Sequence, residues 1–351
     1  MASFLNAHQR ILGQFCLEVD GVVVEEGQVT WSVEPLGNGN INGTFLVTNS
    51  AKSSAYVLQE INHFVFKDVD GLMNNMVCVT EHLKRLNVRT LELVSVRPGD
   101  CQLMCRYHYF SPCDQTYWRV FKYIPKCKSA LEQDSLSYED VARSATAFGD
   151  FQYQLRSLPV ANLKETIPNF HDTRFRFESF LSAVQSDLCG FMADKGVQEN
   201  VEFVMRREEK YVDLLLDLQD SDTGDRVPLR VVHNDTKSSN ILLSEDTGEV
   251  LCVIDLDTVM PGRSLYDFAD IVRSSCSSCG EEEADCSRVH LRLDMFRAAA
   301  EGYLASQMCV GAEVEGRLCS VEIEHLWVAG QVCGLMCMHA CMYVCMYAFV
   351  S

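Results

Sequence analysis

The chain reads as an α+β protein of two lobes, a small antiparallel-sheet lobe over residues 1–124 and a larger, mainly helical lobe over residues 125–329. Three observations predict this. Residues 22–48 alternate apolar and polar side chains around a glycine-bearing turn, the period-two pattern of strands. Beyond Pro125 the pattern changes to longer amphipathic runs with helical spacing. With 351 residues, 47% hydrophobic and 23% charged, the chain is also long and apolar enough to bury a core in each lobe.

Taken in order, YVLQEI at 56–61 is a further strand of the first sheet. GLMNNMVCVTEHLKRL at 71–86 carries Leu72, Met76, Val79, Leu83 and Leu86 at helical spacing and predicts one helix packed on that sheet. LELVSV (91–96), CQLMCRYHYF (101–110) and YWRVFKYI (117–124) supply the remaining strands. In the second lobe, residues 137–158 and 175–193 predict helices. LRVVHND, NILLSED and EVLCVIDLD are short apolar runs that end in polar residues, the form of small strands presenting loop side chains at their ends.

The charge balance limits the partners. Thirty Lys and Arg against 49 Asp and Glu give a net charge of -19, which argues against a nucleic-acid surface, because a phosphate backbone needs a basic face. Small-molecule partners are expected. The N-terminus, MASFLNAHQRILGQF, lacks the basic start and long apolar core of a secretory signal, so a cytoplasmic protein is expected. Seventeen scattered cysteines, an odd number, read as reduced thiols. Cys276, Cys279, Cys286 and His290 have zinc-ligand types in a plausible order, against the alternative of a Ser, Cys and Glu-rich loop. Residues 326–351 contain no Asp, Glu, Lys or Arg, a length that would suit a membrane anchor. CMHACMYVCMYA repeats every four residues, however, so residues 330–351 read as an atypical Cys/Met-rich tail, and membrane attachment is the secondary reading. The oligomeric state is not legible.

The polar stretch HNDTKSSN at 233–240, set between two apolar runs, carries the chemistry. Phosphoryl transfer requires a carboxylate to orient and deprotonate an acceptor hydroxyl, and hard cations to hold the phosphates. Asp235 is placed as the base, Asn240 as a magnesium ligand, and Asp255, at the end of an apolar run, as the second ligand. Lys237 is placed to neutralise charge on the moving phosphoryl group. The glycine-bearing turn EPLGNGNINGTFLV offers Gly37, Gly39 and Gly43 for close approach of backbone amides to phosphates; a hairpin turn without ligand has the same composition.

The order Asp, four intervening residues, Asn, then an apolar run and Asp resembles the catalytic loop and metal site of protein-kinase-like folds. It is more similar to the aminoglycoside phosphotransferase superfamily. The stretches YVLQEINHFVF, TYWRVFKYI, AFGDFQ, ETIPNFHDTRFRF, HNDTKSSN, VIDLDTVMPG and YDFADIVRSS together resemble its N-acetylhexosamine 1-kinase branch, from about Val24 to Ala329. The resemblance implies a two-lobed kinase-like fold, ATP and Mg2+ as cofactors, and transfer to the anomeric hydroxyl of N-acetylglucosamine or N-acetylgalactosamine. The alternatives are another amino sugar or small alcohol, or a catalytically inactive nucleotide-binding relative. It also implies that Tyr123 and Ile124 face adenine. Gln59 stands where such folds carry a lysine, and Asp257 where a glycine is usual. His171 and Asp172, with Arg174 and Arg176 nearby, have the residue types of a sugar site, as does Asp257; a polar loop before a helix has the same composition.

Overall fold

The structure, a computed structural model, describes residues 2–37, 41–49, 53–98, 106–129, 136–206, 229–280, 283 and 288–306. Gly39, Cys101, Cys105, Cys286 and the tail 330–351 lie outside these residues. The chain forms two compact units, one of Met1–Cys127, Ala161–Ile167 and Ser244–Asp246, the other of Lys128–Val160, Pro168–Leu243 and Thr247–Ser351.

In the first unit, helix α1 (Ala2–Leu12) and the short pair β1 (Glu18–Val19) and β2 (Val22–Val23) precede β3 (Trp31–Pro35), β4 (Gly43–Asn49) and β5 (Ala55–Ile61). Helix α2 (Val69–Arg85) follows, then β6 (Tyr109–Ser111) and β7 (Thr116–Lys122), after which the chain passes into the short strand β8 (Cys127–Ser129). Strands β3-β4-β5-β7-β6 form one sheet in that order, every pairing antiparallel. Alternation along the strands divides its faces. Val47, Tyr56, Leu58, Trp118 and Val120 join Ile11, Leu12, Phe15 and Trp31 in one apolar core. Gln59, Arg119 and Phe121 occupy the intervening positions and point to the opposite face. Helix α2 starts on Asp68, whose carboxylate accepts from Gly71 N, and buries Leu72, Met76, Val79 and Leu83 at the spacing the sequence predicts. The expected strand at 91–96 is not a regular ladder strand. Its polar groups go to several partners, with Val94 N donating to Val120 O and Val96 N to Arg106 O.

In the second unit, α3 (Tyr138–Leu155) opens with a capping box between Ser137 and Asp140. Helix α4 (Thr173–Ser186) ends on Asp187 at φ +39, and Gly190 at φ +72 turns the chain again, so the helix expected over 175–193 stops early. Helix α5 (Lys195–Met205), strand β9 (Leu229–Val232), hairpin β10 (Ile241–Ser244) and β11 (Val250–Val253), strand β12 (Met260–Arg263) and helices α6 (Ser264–Ser275) and α7 (Leu293–Ala305) complete it. Strand β12 pairs antiparallel with β9, and β10 with β11. Val141, Ala145, Phe148, Phe268, Ile271, Val272, Ala298, Ala299 and Tyr303 form the core between α3, α6 and α7. Small residues bring α3 and α7 together: a Cβ on Gly302 would lie 2.1 Å from Ala142 O, and one on Gly149 2.2 Å from Ser306 Oγ. Cys276 is buried in this core, where desolvation pushes its thiol up to about 12. Among the described residues no helix is long and apolar enough to cross a membrane.

Two outcomes follow from this packing. Gly302→Ala forces a methyl group into a backbone carbonyl and should destabilise the protein by about 2 kcal/mol or more, read as a lower urea midpoint than that of Ala300→Gly. His108, 4% exposed and 3.2 Å from Asp70 Oδ1, has its pKa lowered, because burial outweighs the attraction of the exposed carboxylate. A folded-state pKa below the unfolded value means that stability is complete above about pH 6.5 and falls as the pH drops through that value. His108→Gln should therefore show a shallower loss of thermal midpoint between pH 7.5 and 5.5 than the parent protein, and identical slopes would refute this assignment.

Candidate active site

The segment after β9 belongs to no helix or sheet ladder, so its backbone N–H groups must find other acceptors. Helix α6 supplies them. His233 N donates to Asp267 Oδ2 at 2.9 Å, Asn234 N to Asp267 Oδ1 at 2.7 Å, and Thr236 N to Asp270 Oδ2 at 2.6 Å. Asp235 N donates to the ring of His233, at Nδ1, 3.3 Å away. His233 Nε2 faces Ile254 O at 3.0 Å; a carbonyl only accepts, so Nε2 carries the proton and Nδ1 is left as the acceptor.

The carbonyls are equally held. Thr258 Oγ1 donates to His233 O, the imidazole of His171 donates to Asn234 O at 3.0 Å, and Asn240 Nδ2 donates to Asp235 O at 2.9 Å. Asn234 stands at φ +66, a left-handed conformation that a side chain adopts only when other contacts hold it, and its amide donates to Thr258 O. The loop is thus fixed on both sides of the residue that precedes Asp235.

Asp267 and Asp270 lie three residues apart on α6 and so share a face. Complete burial raises the pKa of Asp267, against the hydrogen bonds from Gln152 and the two loop N–H groups. Gln152 Nε2 donates to Asp267 Oδ2 at 2.6 Å, and Tyr303 hydroxyl donates to Gln152 Oε1 at 2.7 Å, which carries the network from α6 through α3 to α7. Burial would also raise Asp270, but the guanidinium of Arg273, 2.8 Å away, brings it below the usual carboxylate range, helped by the N–H of Thr236. Sequence reasoning missed Asp270 and Gln152. The signal for the former was present: two acids three apart in the otherwise apolar run LYDFADIV.

At the open edge of this frame, Asp235 keeps 21% of its side chain exposed, with Lys237 Nζ 3.2 Å from Oδ1 and Asn240 Nδ2 3.0 Å from Oδ2. The two donations from Asn240 Nδ2 turn its Oδ1 the other way, which leaves a hard oxygen available as a ligand. Hairpin β10–β11 pairs Ile241 with Val253, and Ile254 N donates to Asn240 O, so Asn240 and Asp255 leave neighbouring strands at the same end. Asp255 stands at φ +58 and begins a one-turn 3-10 helix, Leu256–Thr258, in which Asp257 is buried. Two oxygen donors of this kind fit Mg2+, which takes few protein ligands and keeps water and phosphate oxygens for the rest of its shell.

Of the remaining sequence-predicted residues in this unit, His171 packs behind the loop against Tyr266, and Asp172 caps α4 by accepting from Phe175 N. Arg176 donates through Nε and Nη2 to Phe170 O. In the first unit, Gly37 stands at φ +72 in the β3–β4 turn and Gly43 opens β4. Gln59 donates to Thr44 Oγ1 at 3.0 Å. Tyr123 N donates to Ala55 O, and Ile124 O accepts from the thiol of Cys127.

A model of the phosphotransferase enzyme family matches residues 32–299. Among solved structures, the GDP complex of wild-type aminoglycoside 2'-phosphotransferase-IIIa aligns with a TM-score of 0.52 and 14% identity, over 93% of this chain and 97% of the other. An aminoglycoside phosphotransferase from Alicyclobacillus acidocaldarius aligns with a TM-score of 0.53 and 14% identity, over 97% of this chain and 93% of the other. At such identity these structures speak for the kinase-like fold, while the family match covers the sheet, the loop, Asp255 and α6 together. The chain has a kinase-like fold and belongs to the phosphotransferase enzyme family.

Proposed function

We propose that the protein transfers the terminal phosphoryl group of ATP, in the presence of Mg2+, to the anomeric hydroxyl of an N-acetylhexosamine, giving the sugar 1-phosphate. One observation carries the chemistry: Asp235 is a part-exposed carboxylate flanked by Lys237 and Asn240, on a loop whose N–H groups at His233, Asn234 and Thr236 donate to buried carboxylates. The choice of acceptor rests on the similarity of HNDTKSSN and VIDLDTVMPG to the N-acetylhexosamine 1-kinase branch.

In this reading an oxygen of Asp235 accepts the proton of the sugar hydroxyl as that oxygen bonds to the γ-phosphorus and the bond to the β,γ-bridging oxygen breaks, its electron pair leaving with ADP. Lys237 offsets the negative charge that Asp235 and the phosphoryl oxygens bring together. Asn240 and Asp255 would hold Mg2+, which supplies charge neutralisation on the phosphates when bound. Gly37, Gly39 and Gly43 would admit the phosphates, and Gln59, Tyr123 and Ile124 would contact the nucleotide. His171 acts on the acceptor side through the loop carbonyl that it holds, Asp172 by starting α4, and Asp257 from its buried position beside the metal ligand.

Phosphorus NMR with Mg2+, ATP and either N-acetylhexosamine should show a sugar 1-phosphate signal, and Asp235→Asn should lower turnover by about 10²–10⁴-fold without shifting the thermal midpoint by more than a few degrees. Full turnover in Asp235→Asn would sink the mechanism. A panel that adds aminoglycosides and small amino alcohols tests the acceptor separately: product only from one of those would move the substrate and leave the assignment of Asp235 intact.

A further inference from the structure

Gln59 occupies the middle of a row that crosses three strands. Its register partners are Thr44 on β4 and Arg119 on β7, and all three side chains lie on the same face of the sheet. Arg119 donates twice to Gln59 Oε1, from Nε at 2.9 Å and Nη2 at 2.8 Å, and Gln59 Nε2 donates to Thr44 Oγ1 at 3.0 Å. Arg119 is 1% exposed, with its guanidinium 5.2 Å from the centre of the Phe121 ring.

The chemistry of these groups allows one orientation of the amide. A guanidinium has donors and no acceptor, so the face of Gln59 that meets Arg119 must be its oxygen. The nitrogen is then directed away along the row, which settles the amide by chemistry, where electron distribution alone would leave its two ends alike. A full positive charge held on Oε1 in dry surroundings also draws density from the amide, so that both hydrogens of Nε2 become stronger donors. Thr44 takes one of them. Among the described residues the second has no protein acceptor.

We propose that Arg119 is a positioning residue that locks Gln59 with its amide nitrogen outward and so makes it a fixed N–H donor to a phosphate of the bound nucleotide. The row Thr44–Gln59–Arg119 then replaces the lysine usual at this sheet position: the permanent charge sits one strand away, and a neutral amide relays it. The inference rests on the ATP-binding reading above.

The test is calorimetric titration of the full chain with Mg-ATP, and with adenosine as a ligand that has no phosphate. Gln59→Met should weaken ATP at least 10-fold and adenosine less than 2-fold. Gln59→Glu still gives Arg119 an acceptor and so keeps the sheet paired, but it offers no donor, and ATP should again weaken at least 10-fold. Arg119→Met frees the amide to rotate and should weaken ATP about 3–10-fold, while Arg119→Lys, which restores a donor to Oε1, should recover most of that loss. The double variant Gln59→Met/Arg119→Met should bind ATP no worse than Gln59→Met, because Arg119 acts only through the glutamine. Additive losses in the double variant would mean that Arg119 meets the phosphates itself and would overturn the proposal. So would equal losses for ATP and adenosine, which mark a purely structural role. If Arg119→Met does not fold, the Gln59→Glu and Arg119→Lys pair decides the matter alone. A parent protein that binds adenosine and not ATP overturns the inference; one that binds neither overturns the nucleotide reading on which it stands.

Discussion

Two carboxylates on one helix hold the loop on which the rest of the candidate site depends. A polar loop between strands leaves N–H groups without ladder partners, and each one buried and unsatisfied would cost about 1–3 kcal/mol. Asp267 and Asp270 take three of these N–H groups, and the ring of His233 takes the fourth. Burying two acids is itself unfavourable, and the structure compensates each differently. Asp270 has the guanidinium of Arg273, whereas Asp267 is satisfied by N–H donors alone, including the side chain of Gln152. The loop can be rigid because the helix that carries these acids is packed in the core between α3 and α7.

In this arrangement the supporting groups are buried and the proposed base is not. The groups that hold the loop, Asp267, Asp270, His233 and Asn234, are 4% exposed or less, whereas the side chain of Asp235 is 21% exposed. A catalytic base must be held within about 0.5 Å of its productive position, and a carboxylate on an unpinned loop would lose that geometry to backbone entropy. Asn234 and Asp255 both stand in the left-handed region, the one directly before Asp235 and the other at the start of the 3-10 turn Leu256–Thr258. In the sheet of the first unit a comparable division holds across one row, with the buried charge of Arg119 behind and the amide of Gln59 in front.

The sequence by itself determined the fold class, the helices at 71–86 and 137–158 to within a few residues, and the order of the chemical motifs, because these depend on periodicity and on near neighbours in the chain. It put Asp235, Asn240 and Asp255 forward as a set by spacing and by resemblance, and it read the alternation of the first sheet correctly. Tertiary structure decided the rest. The apolar run at 91–96 has the composition of a strand, but its hydrogen bonds go to several segments, which no local pattern encodes. The polar cluster at 171–176 resembles a binding loop, yet Asp172 caps a helix and Arg176 closes on a carbonyl, and local composition does not distinguish such uses. Arg119 and Gln152 reach Gln59 and Asp267 from 60 and 115 positions away, so the neutral amide that looked like a missing charge, and the buried acid behind the loop, gain these partners only when the strands and helices that carry them are brought together.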